Sequence, residues 1–246
     1  KSSQLHLADS HGPISLMGDH MHKKGEMMLS YRFGHMQMKN VINGTKTLNI
    51  DEITSSPNGA SNDLGTYMNS PISMKMDMHM FGAMYAPLDN LTLMLMTGYS
   101  EKEMTQQRMR MRGSGRFDVN SSGVTDTRIS GLIKLFNNNS IQSHIGIGLS
   151  LPTGSIDNRD VTPASADARL GYAMQNGTGT YDPFFYINNL NNFGKIKVGQ
   201  QFLFKTSALG KNSKNYSYGD IYDATLWSSY RWINNVSTSL KVNYNY

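Results

Sequence analysis

Methionine and histidine carry the most conspicuous chemistry in this chain. Seventeen of its 18 methionines precede residue 112, and many recur at alternate positions. Met74, Met76, Met78 and Met80 lead to Met84; Met94 and Met96 follow, and Met28, Met36 and Met38 come before. Period two is the repeat of a β-strand, so each such set shares one face. Thioethers are soft ligands that select Cu(I), and imidazole suits copper more generally. Imidazoles stand close by in Asp19-His20-Met21-His22 and at His79 beside Asp77. One reading is therefore a copper site drawn from His20, Met21, His22, Met76, Met78, Met80, Met94 and Met96. The competing reading makes methionine a flexible apolar filler or a lipid contact. Parity favours the second, because Met78 and Met80 on an inner face force Asp77 and His79 onto the apolar one. The expectation is no cofactor, with copper as the alternative.

Other catalytic chemistry is sparse. His144 and Ser150 share a polar strand face, where a lone pair of this kind lines a wall more often than it hydrolyses anything. Gly146-x-Gly148 lies inside a strand pattern rather than ahead of a helix, which argues against a phosphate cradle. Arg108, Arg110, Arg112 and Arg116, interleaved with Met109 and Met111, read as a solvated loop and not as a nucleic-acid patch. Without cysteine there is neither a disulfide scaffold nor a thiolate metal site. An enzyme is not expected.

The elements that must position these residues are strands. Apolar and polar residues alternate through Ile141–Leu151, Gly194–Thr206, Ile221–Trp232 and Val236–Tyr244. Nine strands are predicted, at 25–38, 72–86, 91–100, 123–136, 141–151, 181–190, 194–206, 220–232 and 236–246. Short turns at 86–90, 137–140, 191–194 and 233–235 alternate with long polar stretches at 40–70, 101–122, 153–180 and 208–219. Tyr85, Tyr99, Tyr222, Tyr230, Trp232 and Tyr244 fall near strand ends, where interfacial anchors belong. The pattern is that of an all-β, antiparallel up-and-down transmembrane β-barrel with short periplasmic turns and long external loops. Residues 1–24 form an N-terminal periplasmic or lumenal segment ahead of a barrel over 25–246.

Composition agrees. The 246 residues are 38% hydrophobic with net charge +5, and no run approaches the ~18 apolar residues of a spanning helix. The chain opens at Lys1 without a basic-then-apolar leader, as expected of a mature exported protein. The first and ninth strands both run outward, whereas single-chain bacterial barrels have even strand numbers. A strand hidden in Met104–Val119 or in the N-terminal segment would resolve this; a sequence stopping before the native C-terminus is the preferred explanation. Facing the lumen would be Arg32, Arg128, Lys134, His144, Lys197, Gln201, Lys205, Asp223 and Arg231, a mainly basic set that favours anions.

Several motifs resemble a known family. Gly12-Pro13-Ile14, Met17-Gly18-Asp19-His20-Met21-His22-Lys23-Lys24-Gly25-Glu26 and Met76-Asp77-Met78-His79-Met80 with Gly82-Ala83-Met84-Tyr85-Ala86-Pro87 are the longest. Asp126-Thr127-Arg128 and Leu151-Pro152-Thr153-Gly154-Ser155-Ile156-Asp157 are two more. Together they resemble proteobacterial outer-membrane proteins of the "meta-pathway of phenol degradation" transporter type. The resemblance implies a bacterial outer-membrane β-barrel, usually longer than this chain, and implies transport only loosely. The function expected is a passive, weakly selective channel for small solutes. A copper-binding envelope protein and a structural barrel plugged by its own side chains are the alternatives. Expected partners are outer-membrane lipid and a small-molecule solute, without nucleic acid, and with a homo-oligomer left open.

Overall fold

A computed structural model describes residues 7–9, 11–13, 16–58, 65–108, 115–207 and 210–246. Arg110 and Arg112, with Met109 and Met111, lie outside the described residues. The first half of the chain forms β1 (Met27–Lys39), β2 (Val41–Asn43), β3 (Lys46–Leu48), β4 (Asn69–Leu88), β5 (Leu91–Arg108), β6 (Arg116–Val124) and β7 (Thr127–Asn137). The second half adds β8 (Ile141–Leu151), β9 (Arg159–Thr162), β10 (Ser165–Arg169), β11 (Asp182–Phe193), β12 (Ile196–Lys205), β13 (Ile221–Ile233) and β14 (Val236–Asn245). Among the described residues the one α-helix, α1 (Ile50–Thr54), opens with a capping box between Asn49 and Glu52, and a 3-10 turn spans Tyr172–Met174. No helix among the described residues is long and apolar enough to cross a membrane.

Ten strands make one antiparallel sheet in the order β1-β4-β5-β7-β8-β11-β12-β13-β14, with β6 on the outer half of β5. Neighbours in the sheet are neighbours in the chain, so the sheet is a meander, curled into a half-barrel. Leu91–Met96 of β5 pair with β7 and Tyr99–Gln107 pair with β6. β6 and β7 are thus two halves of a single wall, broken at Thr125–Asp126. Sequence reading placed one strand at 123–136 and allowed a hidden one in Met104–Val119; the structure has strand at Arg116–Val124, paired to β5 in line with β7. Sequence reading also stopped β5 at residue 100, although the strand continues to Arg108. β1 and β14 are the two edges of the sheet; they run in the same direction and do not pair with each other.

Tight turns join β4 to β5, β7 to β8, β11 to β12 and β13 to β14, all at one end of the sheet. At the turn after Phe193, Gly194 takes a φ of 81°, a left-handed conformation that a side chain would oppose. The long connections occupy the opposite end and carry the β2–β3 and β9–β10 ribbons.

The two faces divide by parity. The convex face exposes Leu29, Tyr31, Phe33, Phe81, Leu93, Leu95, Ile129, Ile133, Ile147, Ile187, Phe202, Leu226 and Val242, with Leu240 73% exposed. Near the short-turn end the same face carries Tyr85, Phe193, Tyr230 and Trp232; toward the other end it carries Tyr99, Tyr222 and Tyr244. Of two small packed clusters, one joins Met104 and Val119 to Leu170 and Met174 of the connection between β8 and β11. The other lies within the curl, where Met84, Met94, Leu132, Phe184 and Tyr186 have Met21, Met28, Met96 and Leu203 against them. Glycines in β8 make room for its aromatic members. A Cβ on Gly146 would sit 2.1 Å from the Tyr186 ring, and one on Gly148 would sit 2.3 Å from Phe184. Gly146-x-Gly148 is therefore a seat for two rings.

Candidate functional site

The concave face closes around the chain's own N-terminal segment. Irregular backbone placed in a protein interior must find partners for its carbonyls, and polar side chains of the strands supply them. His144 Nε2 donates to Gly18 O at 2.7 Å, Asn188 Nδ2 to Asp19 O at 3.0 Å and Gln201 Nε2 to Met17 O at 3.0 Å. Arg32 Nη1 donates to Leu16 O at 3.0 Å and also touches Met17 Sδ. Lower in the curl, Lys197 Nζ donates to Asp9 O at 2.7 Å and lies 3.5 Å from Asp9 Oδ2. Arg231 Nη1 contacts Asp9 Oδ1 at 3.1 Å, and the Asp9 side chain is fully buried.

These anchors define the segment's course. Ala8 N donates to Asn234 O, and Lys24 N donates to Asp89 Oδ1, so both limbs meet the short-turn end. The apex is at Met17–Gly18. Gly18 has a φ of 63°, and a Cβ there would lie 2.4 Å from the Tyr186 hydroxyl oxygen. The segment is a re-entrant loop inserted between the walls.

Beyond the apex, toward the long loops, two adjoining cavities of about 360 Å³ each remain. Met17, Met96, Arg128 and Lys205 border both; Met76, Met78, Met80 and Lys102 line one of them. Lys205 Nζ pairs with buried Asp182 at 2.9 Å, and Lys102 Nζ donates to Gln175 O at 2.5 Å. Asp223 accepts from Asn243 and Asn245 of β14. Arg128, by contrast, makes no hydrogen bond or ion pair among the described residues, and its guanidinium borders the open space. A separate apolar trough of about 700 Å³ lies on the convex wall, over Ala83, Leu93, Ile129 and Gly131.

Of the nine residues expected to line a lumen, Arg32, His144, Lys197, Gln201 and Arg231 hold the N-terminal loop. Arg128, Lys205 and Asp223 face the cavities, and Lys134 sits at the short-turn rim, its Nζ on Asp89 O. The methionines are brought onto one face by register. Arg32 is opposite Met80 and Met36 opposite Met76, while Met84 is opposite Met94 and Gly82 opposite Met96. Met84, Met94 and Met21 pack in the interior cluster, whereas Met76, Met78, Met80 and Met96 border a cavity. Asp77 and His79 fall on the convex face, where His35 Nδ1 meets Asp77 at 2.6 Å and Tyr31 Oη meets His79 Nδ1 at 2.8 Å.

His20 and His22 are not beside that stripe but on the descending limb of the loop. His20 Nδ1 lies 2.9 Å from Asp19 Oδ1, and Gly12 N donates to Asp19 Oδ2 at 2.7 Å. The His20 ring is flanked edge-on by His11 at 4.6 Å and His22 at 4.9 Å. Burial desolvates Asp19 and opposes its ionisation. The His20 hydrogen bond and charge, with the Gly12 amide and His11, outweigh this and leave the carboxyl below its ordinary value. His22 is lowered by desolvation and by neighbouring His20, against the pull of Glu26.

Sequence reading missed Asp9 and Asn188, which are anchors only because segments distant in sequence meet there, and Tyr186, whose ring packs against the Gly18 apex. It also gave no role to Asp126, which fastens the long loop to the rim. Asp126 accepts from Gly154 N at 3.0 Å, from Thr178 N at 2.7 Å and from Thr178 Oγ1 at 2.8 Å. Thr127 N donates to Thr153 Oγ1 at 2.8 Å. The motifs at 126–128 and 151–157 are the two sides of this latch. No protein-family model matches the chain, and comparison with curated proteins yields no match.

Proposed function

We propose that this chain is an outer-membrane β-barrel channel for small solutes, passive and weakly selective for anions, with its N-terminal loop seated in the lumen. The observation that carries the reading is the division of faces. A predominantly apolar surface, interrupted by Ser143, Asn189 and Gln200 and bounded by Asp77 and His79, faces outward from the sheet, while most charged side chains of the strands face inward, several onto polar backbone. A soluble β-barrel buries its apolar face. A monomer in water rarely exposes apolar patches beyond a few hundred Å².

Dimensions support the membrane. On the convex side of β5, Leu91, Leu93, Leu95, Thr97 and Tyr99 give way to Glu101 and Glu103. Leu91 to Tyr99 spans ~26 Å along the strand, or ~20 Å along a barrel axis at a tilt of ~40°, near the ~25 Å apolar band of such barrels. Aromatic side chains stand at both ends of the band. Lipid offers no partner for an open strand edge, so the reading requires pairing at both β1 and β14. The motifs that resemble the phenol meta-pathway transporter family are also the loop, the methionine hairpin and the rim latch.

Arg128, Lys102, Lys205 and Lys241 at the cavities outnumber Asp126 and Asp223 there, even with Lys205 paired to Asp182, and leave a weakly basic lining set among thioethers. This lining suits small anions with an apolar body. The second reading, a structural barrel plugged from within, is favoured by the number of bonds that hold the loop. Single-channel recording in planar bilayers separates the two. The channel reading expects conductance with anion preference, increased when residues 1–22 are deleted and less anion-selective in Arg128→Gln. No conductance from either the full chain or the deletion would refute it.

A further inference from the structure

We propose that the N-terminal loop carries a binding site for a divalent transition-metal ion of the Zn²⁺ or Cu²⁺ class, with His11, His20 and His22 as ligands and Asp19 as the residue that orients His20. The site rests on the loop's own geometry and does not depend on the channel reading.

The first observation is convergence. Ligand atoms of His11, Asp19 and His20 lie within 4.8 Å of one another; His22 stands outside that group, its ring centroid 4.9 Å from that of His20, and a turn of its ring is needed to bring Nε2 to a shared ion. His20 is the middle of three imidazoles drawn from both limbs of the loop. Uncoordinated imidazoles gain little from such clustering, whereas a shared ion turns it into attraction.

The second observation is how the ring nitrogens are used. His20 Nδ1 faces the Asp19 carboxylate at 2.9 Å, and His22 Nδ1 faces Glu26 at 3.6 Å. In both rings the other nitrogen, Nε2, is buried and has no hydrogen-bond partner among the described residues. A buried, unpaired polar atom is costly, and an ion shared by the two adjacent rings would satisfy both. A carboxylate accepting from Nδ1–H leaves the Nε2 lone pair available, the arrangement by which proteins set a metal-ligating histidine's tautomer and orientation. The Gly12 amide in turn fixes Asp19.

The donor set decides the ion. Imidazole nitrogen suits Zn²⁺, Cu²⁺ and Ni²⁺, whereas Cu(I) prefers the thioethers that lie elsewhere, around the cavities. Bound here, an ion would tie the ascending limb at His11 to the descending limb at His20 and His22, and so fasten the loop. The methionine stripe plays no part.

The test uses the full chain in detergent, stripped with a chelator and titrated calorimetrically with Zn²⁺ alone and with Cu²⁺ alone. Expected is one equivalent of tight binding, weakened at least tenfold in each of His11→Gln, His20→Gln and His22→Gln. The triple change Met76→Leu, Met78→Leu and Met80→Leu should leave it unchanged. No binding by the wild type, or His20→Gln binding as well as wild type, overturns the site. Loss of binding in the methionine triple variant does so too. X-ray absorption on the zinc-loaded wild type needs no variant: nitrogen or oxygen at ~2.0 Å supports the assignment, and sulfur at ~2.3 Å overturns it. Failure of the channel reading would appear in the conductance of metal-free protein and leave these titrations untouched.

Discussion

Replacing Asp9 by Asn should release the N-terminal loop without unfolding the sheet. Asp9 is fully buried and is the common partner of Lys197 and Arg231. The substitution keeps the size and removes the charge, leaving two cations side by side. Removing one partner of a buried pair costs roughly 3–5 kcal/mol. Lys197 and Arg231 keep 13% and 19% of their side-chain exposure, and Lys197 retains its bond to the Asp9 carbonyl. The cost therefore falls at or below the lower end, about 2–3 kcal/mol. Because 1.4 kcal/mol is tenfold, the opened population of the loop should rise by ~30- to 150-fold. Hydrogen exchange read by mass spectrometry on peptides covering 7–26 measures this, with peptides from β8 and β11 as the internal reference. Protection of the loop reduced less than threefold would refute the clamp. Equal loss in β8 and β11 would refute the separability of loop from sheet.

Three further changes test other parts of the molecule. Gly148→Ala places a methyl 2.3 Å from Phe184 and 2.5 Å from Ile129 O, and should cost about 1–3 kcal/mol by overpacking, read from the urea midpoint of refolding into detergent. Asp126→Asn weakens three hydrogen bonds that hold the loop between β8 and β11, so protease cleavage within 155–175 should quicken about tenfold while the strands stay resistant. Leu93→Arg on the convex wall should lower stability in lipid vesicles by roughly 2–4 kcal/mol, whereas Gln201→Lys on the concave wall should cost under half as much.

Much of the sheet was legible because period-two alternation survives wherever one face is apolar and the other polar. Strands β8, β12, β13 and β14 announce themselves this way. The signal fails where both faces are polar. In β6, Phe117 and Val119 are followed by Asn120-Ser121-Ser122-Gly123, and in β5 the stretch beyond Tyr99 reads Ser100-Glu101-Lys102-Glu103 before Met104. These segments continue past the apolar band, and pairing rather than hydropathy holds them as strand. The parity of the methionines was equally readable, since register converts sequence alternation directly into a shared face.

The N-terminal segment was legible as a separate stretch, periplasmic or lumenal, but its re-entrant course and its anchors were not. Its bonds run from strand side chains to backbone carbonyls at separations of 126 residues for His144 to Gly18 and 188 for Lys197 to Asp9. An irregular segment has no period to betray its location, and carbonyl acceptors are the same for every residue type. Arg32, His144, Lys197, Gln201 and Arg231 were identifiable as inward-facing polar groups. What they would meet was not, because nothing in a strand's sequence distinguishes a water-lined wall from one that grips a loop. Gly18 and Asp19 gave the only local signal, a turn-forming pair ahead of His20-Met21-His22.

The orientation of the two faces can be measured residue by residue, because the chain contains no cysteine and each introduced one is unique. Single nitroxide labels at Leu93, Ile147 and Leu240 on the convex face, and at Lys197 and Gln201 on the concave face, would be read in lipid vesicles by collision with oxygen and with a water-soluble nickel chelate. Oxygen should dominate at the first three positions and fall away at the other two. Labels at Leu93, Ile147 and Leu240 that meet the nickel chelate as freely as a surface loop does would contradict a hydrocarbon-facing wall, and with it the proposed function.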